Sequence, residues 1–279
     1  MSVIPSQAPL ATETDADNAI VNAAFGTGSL LTEYSPSQQL WGFGGLHGGL
    51  TLALLAQSMQ KSVPTKQLVQ ISASFTKNIR HPFDIQTEIE HAGRTATHVK
   101  ATAMANKQSL ASATAVFSDP ASHTAGKLVA PSMPDVPSPL ICPPFHLPRS
   151  LVPFAGRTEL RPAMDTRPLQ KANSPVLTAW LRVKDDESAV DFFKLAFLMD
   201  ALAPSYSAML EEMVLIPTVT ITMYPTNIQS ATRSPWILLR AETQACTLDG
   251  WIDEQLHAWS EDGVFLGSAS QRRFILAKN

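Results

Sequence analysis

Cysteine is almost absent from this chain of 279 residues, which has only Cys142 and Cys246, far apart and without the paired spacing of a zinc or redox site. A disulfide framework is thereby excluded, and the usage fits a reducing, cytoplasmic compartment. An excess of one charge is also missing: 21 Lys and Arg face 24 Asp and Glu, a formal net charge of -3, with the cations scattered. That balance offers no long-range attraction for nucleic acid or an anionic membrane. No apolar run approaches the roughly 20 residues that span a bilayer, and the N-terminus lacks a basic stretch leading into an apolar one, so no membrane insertion is expected. H-E-x-x-H, G-x-S-x-G, a phosphate loop and any Cys or His cluster with metal spacing are absent too, so neither a metal nor a cofactor is expected.

The chain does have a hydrophobic content of 44%, enough to build a sizeable core at this length. It also has a duplication. Residues 83–117, FDIQTEIEHAGRTATHVKATAMANKQSLASATAVF, align with 236–274, WILLRAETQACTLDGWIDEQLHAWSEDGVFLGSASQRRF, with small gaps. Both read as three-stranded meanders, with turns at Ala92-Gly93-Arg94 and Asn106-Lys107-Gln108 in the first and at Leu248-Asp249-Gly250 and Glu261-Asp262-Gly263 in the second. Upstream, SASFTKNI (72–79) resembles TITMYPTNI (220–228), and an apolar, helix-like stretch precedes each. Between the copies, residues 119–175 hold 12 of the 21 prolines, too many for regular helix or central strand, and part of this segment is expected to cross the surface as extended chain. The divisions are a polar tail (1–18), a first unit (19–118), a proline-rich linker (119–156) and a second unit (157–279), whose first strand is expected near Arg157.

In the second unit, SAVDFFKLAFLMDALAPSYSAML (188–210) is apolar on nearly every face, as expected of a helix wrapped by a curved sheet, with Lys194 and Asp200 as its embedded charges. An ionised Asp200 among Phe197, Leu198, Met199, Ala201 and Leu202 costs several kcal/mol unless it is hydrogen-bonded, so it needs a reason. Capping a helix that starts at Ala201 is one; chemistry is another. Alternation in PTVTITMY points Thr218, Thr220 and Thr222 to one face, which also suits an ordinary wet strand surface. Gln271 in the last strand stands where the first copy has Ala115, an amide for a methyl. The turn GFGGLHGG (42–49) leads into the first unit's apolar helix. Its Gly44, Gly45 and Gly48 can expose backbone N–H groups to an oxyanion or simply pack a helix on a sheet. His47 in that turn is a base only if an acid partner lies nearby.

With these pieces in place the chain resembles the acyl-CoA thioesterase II family of double hotdog proteins. The resemblance rests on the Gly44-Gly45 turn into an apolar helix, LVQISASFTKNIRHPFD and the meander ending ATAVF. In the second half it rests on an Asp in the helix, a Thr opening the next strand and a Gln in the last strand. It implies an α+β fold of two fused units, each a long central helix wrapped by an antiparallel sheet. It also implies Asp200, Thr218 and Gln271 as catalytic residues, with Gly44, Gly45, His47 and Gly48 at the substrate and its oxyanion. The implied substrate is an acyl-CoA or acyl-carrier thioester, hydrolysed through an activated water, and a homodimer or larger homo-oligomer is expected. The run Tyr224-Pro225-Thr226-Asn227 departs from the aromatic, histidine, arginine and proline run common in that family, which bears on substrate identity. A noncatalytic acyl-thioester binding module is the alternative, followed by a hydratase or dehydratase, which wants an Asp and His pair.

Overall fold

The computed structural model describes residues 15–119, 126–127, 129–226 and 233–276. Residues 1–14 of the expected tail, and Asn227 and Ile228 of the repeated motif, lie outside them. The last four residues assigned to the tail instead open helix α1 (Asp15–Ala24). Asp17 is buried there and accepts the backbone N–H (2.9 Å) and the hydroxyl of Ser37, which fixes the helix start.

Helix α2 (Gly48–Ser62) carries Leu50, Leu52, Leu54, Leu55 and Met59, all fully buried, so it is apolar all round and sits inside the molecule. Strands β1 (Gln67–Phe75), β2 (Asp84–Ala92), β3 (Ala96–Ala105) and β4 (Gln108–Ser118) wrap it. The second unit has β5 (Thr158–Pro162), β6 (Val176–Val183), helix α3 (Phe192–Met199), β7 (Thr218–Pro225), β8 (Ile237–Cys246), β9 (Trp251–Ser260) and β10 (Phe265–Phe274). All ten strands form one antiparallel sheet in the order β2-β3-β4-β1-β7-β10-β9-β8-β6-β5, so both meanders exist and the units join at β1 and β7.

Helix α3 is shorter than the apolar stretch implies, eight residues against fifteen in α2. Asp191 is its N-cap, accepting the Lys194 backbone N–H, and Asp200 is its C-cap, not the start of a new helix at Ala201. Pro204 bars helical backbone in the residue before it, so the chain leaves the helix at Asp200 and tightens into a 3-10 turn at Ser205–Met209. Lys194 is satisfied locally, 2.7 Å from Asp186.

At the seam Ser72 faces Thr222, flanked by Ile71 opposite Met223 and Ala73 opposite Ile221. A two-fold through that pair relates each β1 residue to the β7 residue 150 positions later. Both strands then bulge at equivalent points: Val69 is extra against β4 and Val219 is extra against β10. The second bulge corrects one expectation. Thr220 and Thr222 share a face, but the added residue turns Thr218 to the opposite side, toward the interior.

The proline-rich segment crosses the outer face of the second unit's sheet. Pro131 and Pro137 offer their carbonyls to the indole N–H groups of Trp259 (3.0 Å) and Trp180 (2.8 Å). Under it Cys142, Trp180, Trp236, Leu238 and Trp259 form a second apolar cluster, separate from the main core around α2 and α3.

Candidate active site

Asp200 lies where α3 ends against the start of α2, with its side chain only 7% exposed. Two neutral donors converge on one oxygen: the Thr218 hydroxyl (2.9 Å) and the Gln271 amide nitrogen (3.0 Å) both donate to Oδ1. The bulge in β7 supplies the first and the inward face of β10 the second, so the three residues singled out in the sequence meet. The other oxygen, Oδ2, stands over Gly48, where an added Cβ would come within 2.5 Å of it. Gly49 is equally constrained, since a Cβ there would lie 2.5 Å from the Phe197 carbonyl oxygen. These two glycines let the helices approach until the carboxylate rests on the first turn of α2, whose leading N–H groups have no intrahelical partners.

His47 caps α2. Its Nδ1 accepts the Leu50 N–H (3.3 Å), so Nε2 carries the proton and donates to the Asp200 carbonyl oxygen at 3.0 Å. Burial holds its imidazole below the ordinary histidine range, and the ring is stacked on Phe154 with centroids 3.7 Å apart. With both nitrogens engaged, His47 ties the backbone of Asp200 to the start of α2.

Gly45, His47, Gly48, Asp200 and Thr218 border one cavity of about 400 Å³ between the units, whose remaining wall is mainly apolar, including Phe75, Leu151, Leu202, Met213 and Ile216. Gly44 does not border it. Its φ of +84° forms the turn, and its carbonyl accepts from Arg80. Gln271 lies behind Asp200, 3% exposed, with Oε1 lacking a hydrogen-bond partner among the described residues.

Two buried residues of this site escape a reading of the sequence. Arg273 places a guanidinium nitrogen 3.9 Å from Asp200 Oδ1, and its Nε donates to Glu254 at 2.6 Å. Pairing is what exposes the signal: it places Thr218, Gln271, Arg273 and Glu254 at the positions that Leu68, Ala115, Phe117 and Val99 hold in the first copy. The asymmetry that drew attention to Gln271 holds for all four. Among the described residues no three His, Cys, Asp or Glu side chains come together in a way that could hold a metal ion. No helix among them is long and apolar enough to cross a membrane.

Two helix-and-sheet units sharing one sheet, with a buried carboxylate at an apolar cavity between their helices, define a double hotdog protein. The chain belongs to the acyl-CoA thioesterase family: residues 37–118 match the family's N-terminal domain and residues 130–275 its C-terminal domain. The same architecture recurs in a hotdog-fold protein of unknown function from Alicyclobacillus acidocaldarius, with TM-score 0.79 and 23% identity over 88% of this chain and 93% of that one. The tesB protein of Mycobacterium avium subs paratuberculosis gives 0.69 and 14%, over 88% and 92%. Acyl-CoA thioesterase II TesB2 of Mycobacterium marinum gives 0.66 and 16%, over 84% and 91%. At these identities the likeness is one of fold. No curated protein matches the chain in sequence.

Proposed function

We propose that the chain hydrolyses an acyl thioester, of coenzyme A or of an acyl carrier, to the free acid and thiol, with Asp200 as general base. The observation that carries this reading is the two-sided environment of the carboxylate. Oδ1 is held by Thr218 and Gln271, while Oδ2 faces the start of α2 at the wall of an apolar cavity. A water donating to Oδ2 loses its proton to Asp200 as its oxygen adds to the thioester carbonyl carbon. The carbonyl electron pair moves onto oxygen, where the free N–H groups at the start of α2, at Gly48 first, stabilise the charge; such a donor is typically worth about 3 to 4 kcal/mol. Collapse breaks the C–S bond, and the proton held by Asp200 passes to the departing sulfur. Gln271, behind the carboxylate, and Thr218 hold Oδ1 so that Oδ2 stays aimed at the water. The apolar wall holds the acyl chain.

The test is thiol release from short, long and branched acyl-CoA esters by wild type beside Asp200→Asn. Loss of a general base is expected to lower kcat by about 10²- to 10⁴-fold with binding retained. An Asp200→Asn variant that turns over normally would refute the assignment. Tight acyl-CoA binding by wild type without release would make the chain a binding module, and a hydrated acyl thioester as product would make it a hydratase.

A further inference from the structure

The buried charge does not stop at Asp200. Arg273, 4% exposed, reaches toward Asp200 Oδ1 with one nitrogen and donates to Glu254 Oε2 with another. Glu254, 2% exposed, accepts the Ser205 backbone N–H on its other oxygen at 2.5 Å, and the Ser205 hydroxyl lies 2.8 Å from that of Thr243. Ser205 opens the 3-10 turn that follows Asp200, so Glu254 clamps the start of that turn while Arg273 flanks the carboxylate itself. In the first copy the corresponding strand positions hold Phe117 and Val99, both fully buried. The fold therefore fills these positions with hydrocarbon where no carboxylate has to be held. A buried ion pair exchanged for well-packed apolar residues is often neutral or stabilising, so stability alone does not account for the pair.

We propose that Arg273 and Glu254 are positioning residues of the hydrolytic site: Arg273 aims Asp200, and Glu254 orients the guanidinium and fixes the turn that carries Asp200. The proposal rests on the thioesterase reading above. The charged and titratable groups facing Asp200 are few. His47 from the turn before α2 is neutral, Arg273 comes from β10, and Glu254 from β9 stands behind it. Lys194, on α3 itself, is turned to Asp186. Among the described residues the cation nearest Asp200 is thus Arg273, set beside the same oxygen that Thr218 and Gln271 hold.

The experiment compares Arg273→Met/Glu254→Met, which removes both charges together and leaves neither buried alone, with Arg273→Lys and Asp200→Asn. In the double variant kcat should fall about 10²-fold, as expected when a catalytic group is misplaced. KM should stay at the wild-type value, a split between kcat and KM that a merely structural role would not produce. Arg273→Lys keeps the charge but loses the fork, so kcat should fall while KM again stays in place. A folded double variant with wild-type kcat overturns the proposal, as does wild-type kcat in Arg273→Lys, which serves if the double variant fails to fold. If Asp200→Asn itself turns over normally, the thioesterase mechanism fails instead, and the two failures are told apart in one set of assays.

Discussion

Gly48 is the residue on which the site's geometry turns. Alanine is the better helix former by about 1 kcal/mol, so Gly48→Ala is expected to leave the fold intact. Its methyl group would nonetheless occupy the place of Asp200 Oδ2, and displacing that oxygen should lower kcat more than tenfold while circular dichroism stays unchanged. Equal activity in the two proteins would mean that the carboxylate does not work from this position. His47 carries a pH signature. Burial lowers its pKa, and that of His257, in the folded chain. Unfolded chain therefore binds protons that the folded chain refuses, and stability is complete above about pH 6.5 and drains as pH falls below it. Melting temperature followed downward from neutral pH should decline less steeply in His47→Gln than in wild type. Parallel slopes would assign the loss to other groups.

Among the elements, the meanders and α2 were legible because period-two alternation and an unbroken apolar stretch are local signals. Asp200 was legible because a carboxylate among Phe197, Leu198 and Met199 contradicts its surroundings. What escaped was set by pairing. The bulge at Val219, which turns Thr218 inward, leaves no mark on alternation. The end of α3 depends on Pro204 together with the hydrogen bond from His47, 153 positions away in the chain. Glu254 and Arg273 look like surface strand residues until register brings them together. One hairpin also carries a cost that the sequence shows. Asn106 and Lys107 both have positive φ, 49° and 63°, where an Asn-Gly pair is preferred. Lys107→Gly should raise stability by about 1 kcal/mol, read as a higher urea midpoint with unchanged slope. A lower midpoint would show that the lysine side chain contributes more than its backbone costs.

At the scale of the whole molecule the two units are alike in frame and unlike in covering. The outer face of the second unit's part of the sheet is closed by the chain's own proline-rich strap, held by two tryptophans. Trp259→Phe keeps a six-membered aromatic ring but loses the pyrrole ring with its bond to the Pro131 carbonyl, which should cost at least about 1 to 3 kcal/mol in equilibrium unfolding. A change within about 0.5 kcal/mol, the usual range for a surface substitution, would mean that the strap rests on apolar contact alone. The candidate active site, in turn, is shared. Gly48 and His47 come from the first unit, and Asp200, Thr218, Gln271, Arg273 and Glu254 from the second.

The strand pairing that joins the units is short, four residue pairs between β1 and β7 backed by the contact of α2 with α3. A carboxylate that must sit within ångströms of the opposite unit's helix makes turnover a gauge of that junction. On heating, thiol release should fade before the far-UV signal of either meander, because a slight parting of the halves separates Asp200, the proposed base, from the N–H groups at the start of α2 while each core remains closed.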